Sequence, residues 1–311
     1  MANIAFVFSG QGAQYPGMGE SLSRISPAAA ALYDRAEALR PGIRALSFSG
    51  TAEELKETVN TQPALYLTDL AAALALKEAG IEPAAAAGFS LGELPALALS
   101  GAISADEGFS LVLERARLMA KASHDMPDTP AMAAVLRLSP EEIEAIVSDI
   151  DGVWCANYNA PEQTVISGTA TGVAAFRAAC EKAGIGARLV DLPVSGAFHT
   201  PYMKEASEAF AAVLEKTAFR APAIPVYANL TGERYPDDPA AFAPILSAQI
   251  MSPVRWVKEI RGLIEGGIDT FVECGPGKTL CGLIKKIDKS VAVLGVENEE
   301  TLAAAVAALK S

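Results

Sequence analysis

Gly88-Phe89-Ser90-Leu91-Gly92 places a serine between two glycines at the G-x-S-x-G spacing. An apolar run over 84–87 precedes it, and Glu93, Leu94, Ala96, Leu97 and Ala98 can continue it as a helix. Strand, sharp turn and helix in that order make a nucleophile elbow, with the hydroxyl exposed at a helix N-terminus. Glycines are needed on both sides because a side chain there would strike neighbouring backbone or block an approaching carbonyl. By itself the motif is equally compatible with a plain glycine turn. A serine hydroxyl becomes a nucleophile only when a base takes its proton, and imidazole has the ordinary pKa suited to this near neutrality. The chain has two histidines. His124 lies beside Asp125 in a polar, proline-rich break and reads as a solvated surface residue. His199 comes just before Pro201 at a helix start, after Gly196, where it can be aimed into a cleft. It is the better partner for Ser90.

The elements around these residues follow from periodicity. Ile4-Ala5-Phe6-Val7-Phe8 alternates too little for a half-exposed strand and reads as a buried strand of a parallel sheet. It runs into the glycine-punctuated loop Ser9-Gly10-Gln11-Gly12-Ala13-Gln14. Helical patterns follow at 27–40, 51–58 and 62–79, then a strand at 84–88, the elbow, and helices at 91–99 and 104–122. That order describes an α/β sheet with helices on its faces. After the break at 124–130 comes a strand at 131–138, then Ser139-Pro140-Glu141-Glu142, a capped start for a helix over 140–149. Strands at 153–157 and 163–167, joined through 159–162, precede a helix at 170–183 and a strand at 187–194. This β-α-β-β-α-β order is the ferredoxin-like arrangement. Residues 125–195 therefore read as a small domain inserted into a larger one made of 1–124 and 196–311. The larger part resumes with helices at 202–216, 240–250, 253–265, 278–287 and 299–309, and extended segments at 224–229, 270–273 and 291–296.

Composition narrows the function classes. With 311 residues, 51% of them apolar and 20% charged, the chain can bury a large core. No apolar run reaches the ~18 residues of a membrane helix. The opening apolar segment is too short for a signal peptide and has no basic residue before it, so a cytoplasmic protein is expected. Cys155, Cys180, Cys274 and Cys281 form no C-x-x-C pair and read as reduced thiols. With two histidines and no His/Cys/carboxylate cluster, no metal site is expected. A net charge of −12 argues against nucleic acid and anionic membranes as partners. Lys278, Lys285, Lys286 and Lys289 crowd one stretch, and Arg255, Lys258 and Arg261 recur at helical spacing; each reads first as a solvated helix face.

Several motifs follow one another along nearly the whole chain. They are Phe8-Ser9-Gly10-Gln11-Gly12-Ala13-Gln14, Gly88-Phe89-Ser90-Leu91-Gly92-Glu93, and Arg115 within Glu114-Arg115-Ala116-Arg117-Leu118-Met119. Asn157-Tyr158-Asn159-Ala160-Pro161, Ile166-Ser167-Gly168 and Ala197-Phe198-His199 come next, then Gln249 before Ser252-Pro253-Val254, and Glu273-Cys274-Gly275-Pro276-Gly277-Lys278. Together they resemble the malonyl-CoA:acyl carrier protein transacylase family, which includes the acyltransferase domains of fatty acid and polyketide synthases. The resemblance implies an α/β-hydrolase-like large domain carrying a ferredoxin-like insert. It implies no bound cofactor, with malonyl-CoA and the phosphopantetheine arm of acyl carrier protein as substrates of a ping-pong reaction through a malonyl-serine. His199 would be the base in a Ser-His dyad, oriented by an oxygen near Gln249 rather than by a carboxylate. Backbone N–H groups of Gln11 and Leu91 would form the oxyanion hole. Arg115 would pair with the malonyl carboxylate through two parallel hydrogen bonds. Arg117 is its rival, but on a helix the two point about 200° apart, so only one can face the pocket.

The same resemblance makes Phe198 a filler of the space an α-methyl would need, and adds substrate contacts from Gln249, Asn157 and Asn159. Carrier proteins in this family's systems are acidic, so Lys278, Lys285, Lys286 and Lys289 become docking candidates, and a monomer is expected. Two positions depart from the pattern. Most relatives carry His where Phe89 stands, and often His or Tyr where Gly196 stands. The leading expectation is a malonyl transferase for fatty acid synthesis. Its rivals are a discrete acyltransferase serving a polyketide synthase and a serine esterase, which would need a triad acid. A silent carrier-protein binder is disfavoured because Ser90, His199, Gln11, Arg115 and Gln249 are all present.

Overall fold

The computed structural model describes residues 2–310. The strand Ile4–Phe8 is buried at every position, as its unbroken apolar run requires. It lies between two parallel neighbours, Ala85–Gly88 on one side and Thr270–Cys274 on the other, with Ala292–Val296 pairing beyond the latter. Past Ala85–Gly88 a parallel bridge joins Ala86 to Val226, so the segment expected to be extended at 224–229 borders the sheet. The helix Thr58–Glu78 is apolar on almost every face, and correspondingly most of it is buried. It packs against Thr270–Cys274 and against helices Pro27–Leu39 and Ala105–His124.

The second sheet is antiparallel. Pro130–Leu136, Val153–Ala160, Gln163–Thr169 and Arg188–Leu192 stand in the spatial order second, third, first, fourth. Helices Pro140–Val147 and Ala170–Lys182 cover one face through Ile143, Val147, Val173 and Phe176. This is the ferredoxin-like arrangement. Alternation along the strands sends Met132, Ala134 and Val165 to the opposite face, where they join the core of the larger sheet's helices. Two backbone hydrogen bonds of 2.9 Å, Val254 N–H to Ala156 O and Tyr158 N–H to Val254 O, tie this sheet to the chain that follows it.

Three local expectations change. The helix expected over 51–58 is a single 3-10 turn, Glu54–Lys56, because the Glu54 carboxylate folds back onto the Thr51 N–H and hydroxyl. Two short helices, Glu20–Ile25 and Ile43–Ser49, arise where no long apolar period announces them; Leu22 and Ile43 are their buried anchors. The strand expected to stop at 157 runs on to Ala160 through register shifts, so Asn157 and Asn159 belong to the strand and only Pro161 and Glu162 turn.

Candidate active site

Ser90 sits where the strand Ala85–Gly88 turns into the helix Glu93–Leu99 through one 3-10 turn, and its φ is 56°. The flanking glycines answer to close approach. A Cβ on Gly88 would lie 1.9 Å from the Gly92 carbonyl, and one on Gly92 would lie 2.3 Å from Phe8 O. Both distances are impossible for a side chain, so the elbow exists only with glycine at these positions.

His199 occupies a turn ahead of Pro201–Met203, also with positive φ, 61°. Its Nε2 is 2.7 Å from Ser90 Oγ. Its Nδ1 is 3.0 Å from Gln249 O and 3.1 Å from Ser252 O. Carbonyl oxygens only accept, so Nδ1 carries the proton, Nε2 presents its lone pair, and the Ser90 hydroxyl donates to it. Burial, and then the nearby Arg115 cation, push His199 down to about 4, which leaves the ring neutral at pH 7.

Arg115 comes from the helix Ala105–His124 and is 2% exposed. Its Nη1 donates to Gln62 Oε1 at 2.8 Å; its Nη2 donates to Gln249 Oε1 at 3.0 Å and to Ser90 Oγ at 3.1 Å. All three partners are neutral oxygens. Burial pulls the guanidinium down only to about 10, so it remains a cation at neutral pH. Arg117 points to solvent and pairs with Glu114, as the helical phase requires.

Under the elbow lies a buried polar network in which, of Asn229, Glu93, Glu259, Tyr235 and Gln249, the motif reading gives a role only to Gln249. Asn229 Oδ1 accepts the Ser90 N–H at 2.6 Å, while its Nδ2 donates to Gly88 O at 2.7 Å and to Glu259 Oε1 at 3.0 Å. Gln249 Nε2 donates to Ser90 O and to Glu93 Oε2, each at 2.8 Å. Glu93 also accepts from the Asn229 N–H and the Tyr235 hydroxyl, and burial holds its carboxyl up at about 7. Gln62 and Asn229 carry no spacing signal in the sequence. Glu93 stands inside the elbow motif, where a charged residue amid an apolar helix start is the one available hint.

Ser90 and His199 open onto a cleft of about 320 Å³ between the two sheets, also lined by Gln11, Leu91, Asn157, Asn159 and Phe198. Arg115 lines it too. Gln249, expected as a substrate contact, does not: it is buried behind Arg115 and Ser90, its amide taken up by Arg115, the Ser90 carbonyl and Glu93. Gln11 Nε2 donates to Thr58 Oγ1 at 3.3 Å, and the loop before it is pinned by Ser9 Oγ donating to the buried Asp69 carboxyl at 2.8 Å. Asn159 Oδ1 is buried without a hydrogen-bond partner. Gly196 has a steric reason here: a Cβ would lie 2.1 Å from Ser123 Oγ and 2.5 Å from the Phe198 ring. The Phe89 ring packs edge-on against Trp256 at 5.5 Å.

The lysines divide. Lys285 Nζ donates to the Lys289 and Val291 carbonyls, so it braces its own helix end, and Lys286 Nζ donates to Gln163 Oε1 at 2.8 Å. Lys258 pairs with Glu233 on the surface, and Arg255 Nε donates to Leu230 O. His124 is exposed at a helix end. All four cysteines are free and buried. Among the described residues no cluster could hold a metal ion, and no helix is long and apolar enough to cross a membrane.

Comparison with known proteins places this geometry. The acyl transferase domain family matches residues 5–307. The chain is 39% identical to the malonyl CoA-acyl carrier protein transacylase of Bacillus subtilis over 316 residues, covering 100% of this chain and 98% of that one. The crystal structure of the enzyme of that name from Clostridium perfringens superposes with a TM-score of 0.94 at 36% identity, covering 99% of this chain and 98% of the other. A malonyl-transacylase solved in complex with a type II polyketide acyl-carrier protein superposes with a TM-score of 0.92 at 33% identity, covering 99% of this chain and 100% of the other. The chain belongs to the acyl transferase family, alongside the malonyl CoA-acyl carrier protein transacylases.

Proposed function

We propose that this protein transfers a malonyl group from malonyl-CoA to the phosphopantetheine thiol of an acyl carrier protein, through a malonyl ester on Ser90, in fatty acid synthesis. The observation that supports it most directly is the arrangement around one oxygen. Ser90 Oγ lies 2.7 Å from a neutral imidazole nitrogen and 3.1 Å from a buried guanidinium whose partners are all uncharged. The first equips the hydroxyl for attack; the second is a cation awaiting a carboxylate.

In the first half-reaction His199 Nε2 takes the Ser90 proton as Oγ bonds to the thioester carbonyl carbon. Negative charge develops on the carbonyl oxygen, and the N–H groups of Gln11 and Leu91 receive it; one such donor is worth about 3 kcal/mol in comparable sites. The intermediate collapses by breaking the C–S bond, and His199 returns the proton to the departing CoA sulfur. In the second half the carrier-protein thiol gives its proton to His199 and attacks the ester carbonyl. The C–O bond then breaks, and Ser90 regains its proton. Gln249 acts twice, its carbonyl holding Nδ1–H and its amide oxygen holding Arg115. Phe198 bounds the pocket beside the acyl chain, and Asn157 and Asn159 face the pantetheine arm.

On this reading residues 1–124 and 196–311 carry the dyad, while 125–195 supply the second wall. The enzyme acts as a cytoplasmic monomer without a bound cofactor. Lys278, Lys286 and Lys289 are the docking lysines with charge to offer an acidic carrier protein, and Lys285 serves mainly its own helix. An esterase would require a carboxylate behind His199, whereas two backbone carbonyls occupy that position. The test is to incubate the protein with malonyl-CoA, digest it and locate the added mass. Malonyl on the Ser90 peptide, absent from Ser90→Ala, is expected. Preferential loading of propionyl would turn the reading toward another extender unit, and persistent malonylation of Ser90→Ala would refute it.

A further inference from the structure

We propose that Arg115 restrains the Ser90–His199 pair until a carboxylate-bearing acyl thioester binds, so that the substrate's own charge strengthens the base and frees the nucleophile that act on it. The inference rests on the malonyl-transfer reading and adds a role to the same guanidinium. Nη2 donates to Ser90 Oγ at 3.1 Å, the atom that must give its proton to His199 Nε2 at 2.7 Å. A hydroxyl oxygen accepting from a cation is a poorer nucleophile, because its lone pair is engaged and its charge density is drawn toward the guanidinium. The same cation stands beside the imidazole and opposes its protonation, adding to the effect of burial.

No group hydrogen-bonded to His199 offsets that charge, although the field of Glu93 reaches the guanidinium. Its Nδ1 faces the neutral carbonyls of Gln249 and Ser252, and its Nε2 faces the neutral Ser90 hydroxyl. Glu93 is the acid on the neighbouring elbow helix, and it lies behind the Gln249 amide, bonded to Nε2 of that residue and to the Tyr235 hydroxyl. Arg115 has neutral oxygens as its partners from Gln62, Gln249 and Ser90. A substrate carboxylate paired with the guanidinium would draw Nη2 off Ser90 Oγ and cancel the charge facing His199. His199 is then the stronger base, and the Ser90 lone pair is free to attack. The carboxylate remains in the malonyl-serine, so the base stays strengthened when the carrier-protein thiol arrives. Neutral acyl thioesters would bind without this release, and discrimination against them would appear in the acylation step as well as in binding.

The chain's two histidines make the test direct, because His124 is exposed and His199 is buried. The His199 ring of the Ser90→Ala protein is titrated by NMR in complex with malonyl-CoA and with acetoacetyl-CoA, in which a methyl ketone replaces the carboxylate. Both ligands exclude water alike, so their difference isolates the charge. The midpoint is expected to be higher with malonyl-CoA by about one pH unit or more. In the wild-type protein, single-turnover acylation at saturation should show its acid limb at higher pH with malonyl-CoA than with acetoacetyl-CoA. Coincident midpoints and coincident limbs would overturn the inference while leaving malonyl transfer intact. Failure of malonyl-CoA to label Ser90 at all would instead remove the reading on which it rests.

Discussion

Ser90 and His199 both hold left-handed backbone, with φ of 56° and 61°, a conformation that costs a residue with a Cβ about 1–2 kcal/mol. The two groups that meet over 2.7 Å are therefore the two whose backbones are strained to bring them there. Ser90→Gly should melt higher than Ser90→Ala by about 1 kcal/mol of stability, since only glycine relieves the strain, while neither forms an acyl-enzyme. Equal melting temperatures would mean that the elbow stores no strain at this residue. Arg115→Gln should lower kcat/KM for malonyl-CoA on the order of 10–100-fold, the worth of a charge-assisted hydrogen bond to a buried group. Acylation by acetoacetyl-CoA should hold or rise, because the restraint on Ser90 leaves with the guanidinium, and a proportionate fall for both would point to a structural role.

The elbow is an element as much as a residue. Its strand, turn and helix approach so closely that Gly88 and Gly92 are fixed by their neighbours' backbone atoms. Gly92→Ala pushes a methyl to 2.3 Å from Phe8 O, so the central strand must shift. A loss of about 1–3 kcal/mol is expected, with acylation falling further because Ser90 moves with the turn; denaturant unfolding and a labelling assay on the same sample check both. Beneath it, Asn229 binds the backbone leading into Ser90, at Gly88 O and the Ser90 N–H, and Gln249 binds the Ser90 carbonyl that leads out. The elbow's glycines and apolar strand were visible in the sequence, because close packing leaves a compositional mark. Asn229 and Gln62 were not, since a polar side chain that satisfies a distant backbone group has no local pattern to betray it.

For the whole molecule, the small sheet is bound to the large domain by main-chain bonds at Val254 and by a shared core through Met132, Ala134 and Val165. Calorimetry should therefore show one cooperative unfolding transition, and two resolved transitions would show that the sheets fold separately. Buried carboxyls impose a pH dependence. Asp69, Glu93 and Glu259 are all raised, chiefly by burial, Glu93 to about 7. The folded state thus holds protons that the unfolded chain has already released, and stability falls as pH rises through this range. His199 acts in the opposite sense, its contribution growing only between about 4 and its unfolded value near 6.5. Above about pH 6.5 the carboxyls act unopposed, so the melting temperature should decline from there toward pH 8. A flat or rising profile would show that these carboxyls are ionised in the fold.

The sequence by itself marked out the two-sheet architecture and singled out Ser90, His199 and Arg115 as candidates that the fold brings together. Buried strands, capped helices and paired glycines are local consequences of burial and backbone geometry. Motif order along the chain did the rest. Only the tertiary structure decided that the carbonyls of both Gln249 and Ser252 hold His199, that Asn229 and Gln62 brace the site, and that the Arg115 guanidinium rests on Ser90 Oγ. Those facts depend on contacts between residues far apart in the chain, from 25 positions for Arg115 and Ser90 to 139 for Ser90 and Asn229, and distance in space across such separations is set by packing, which no local spacing encodes.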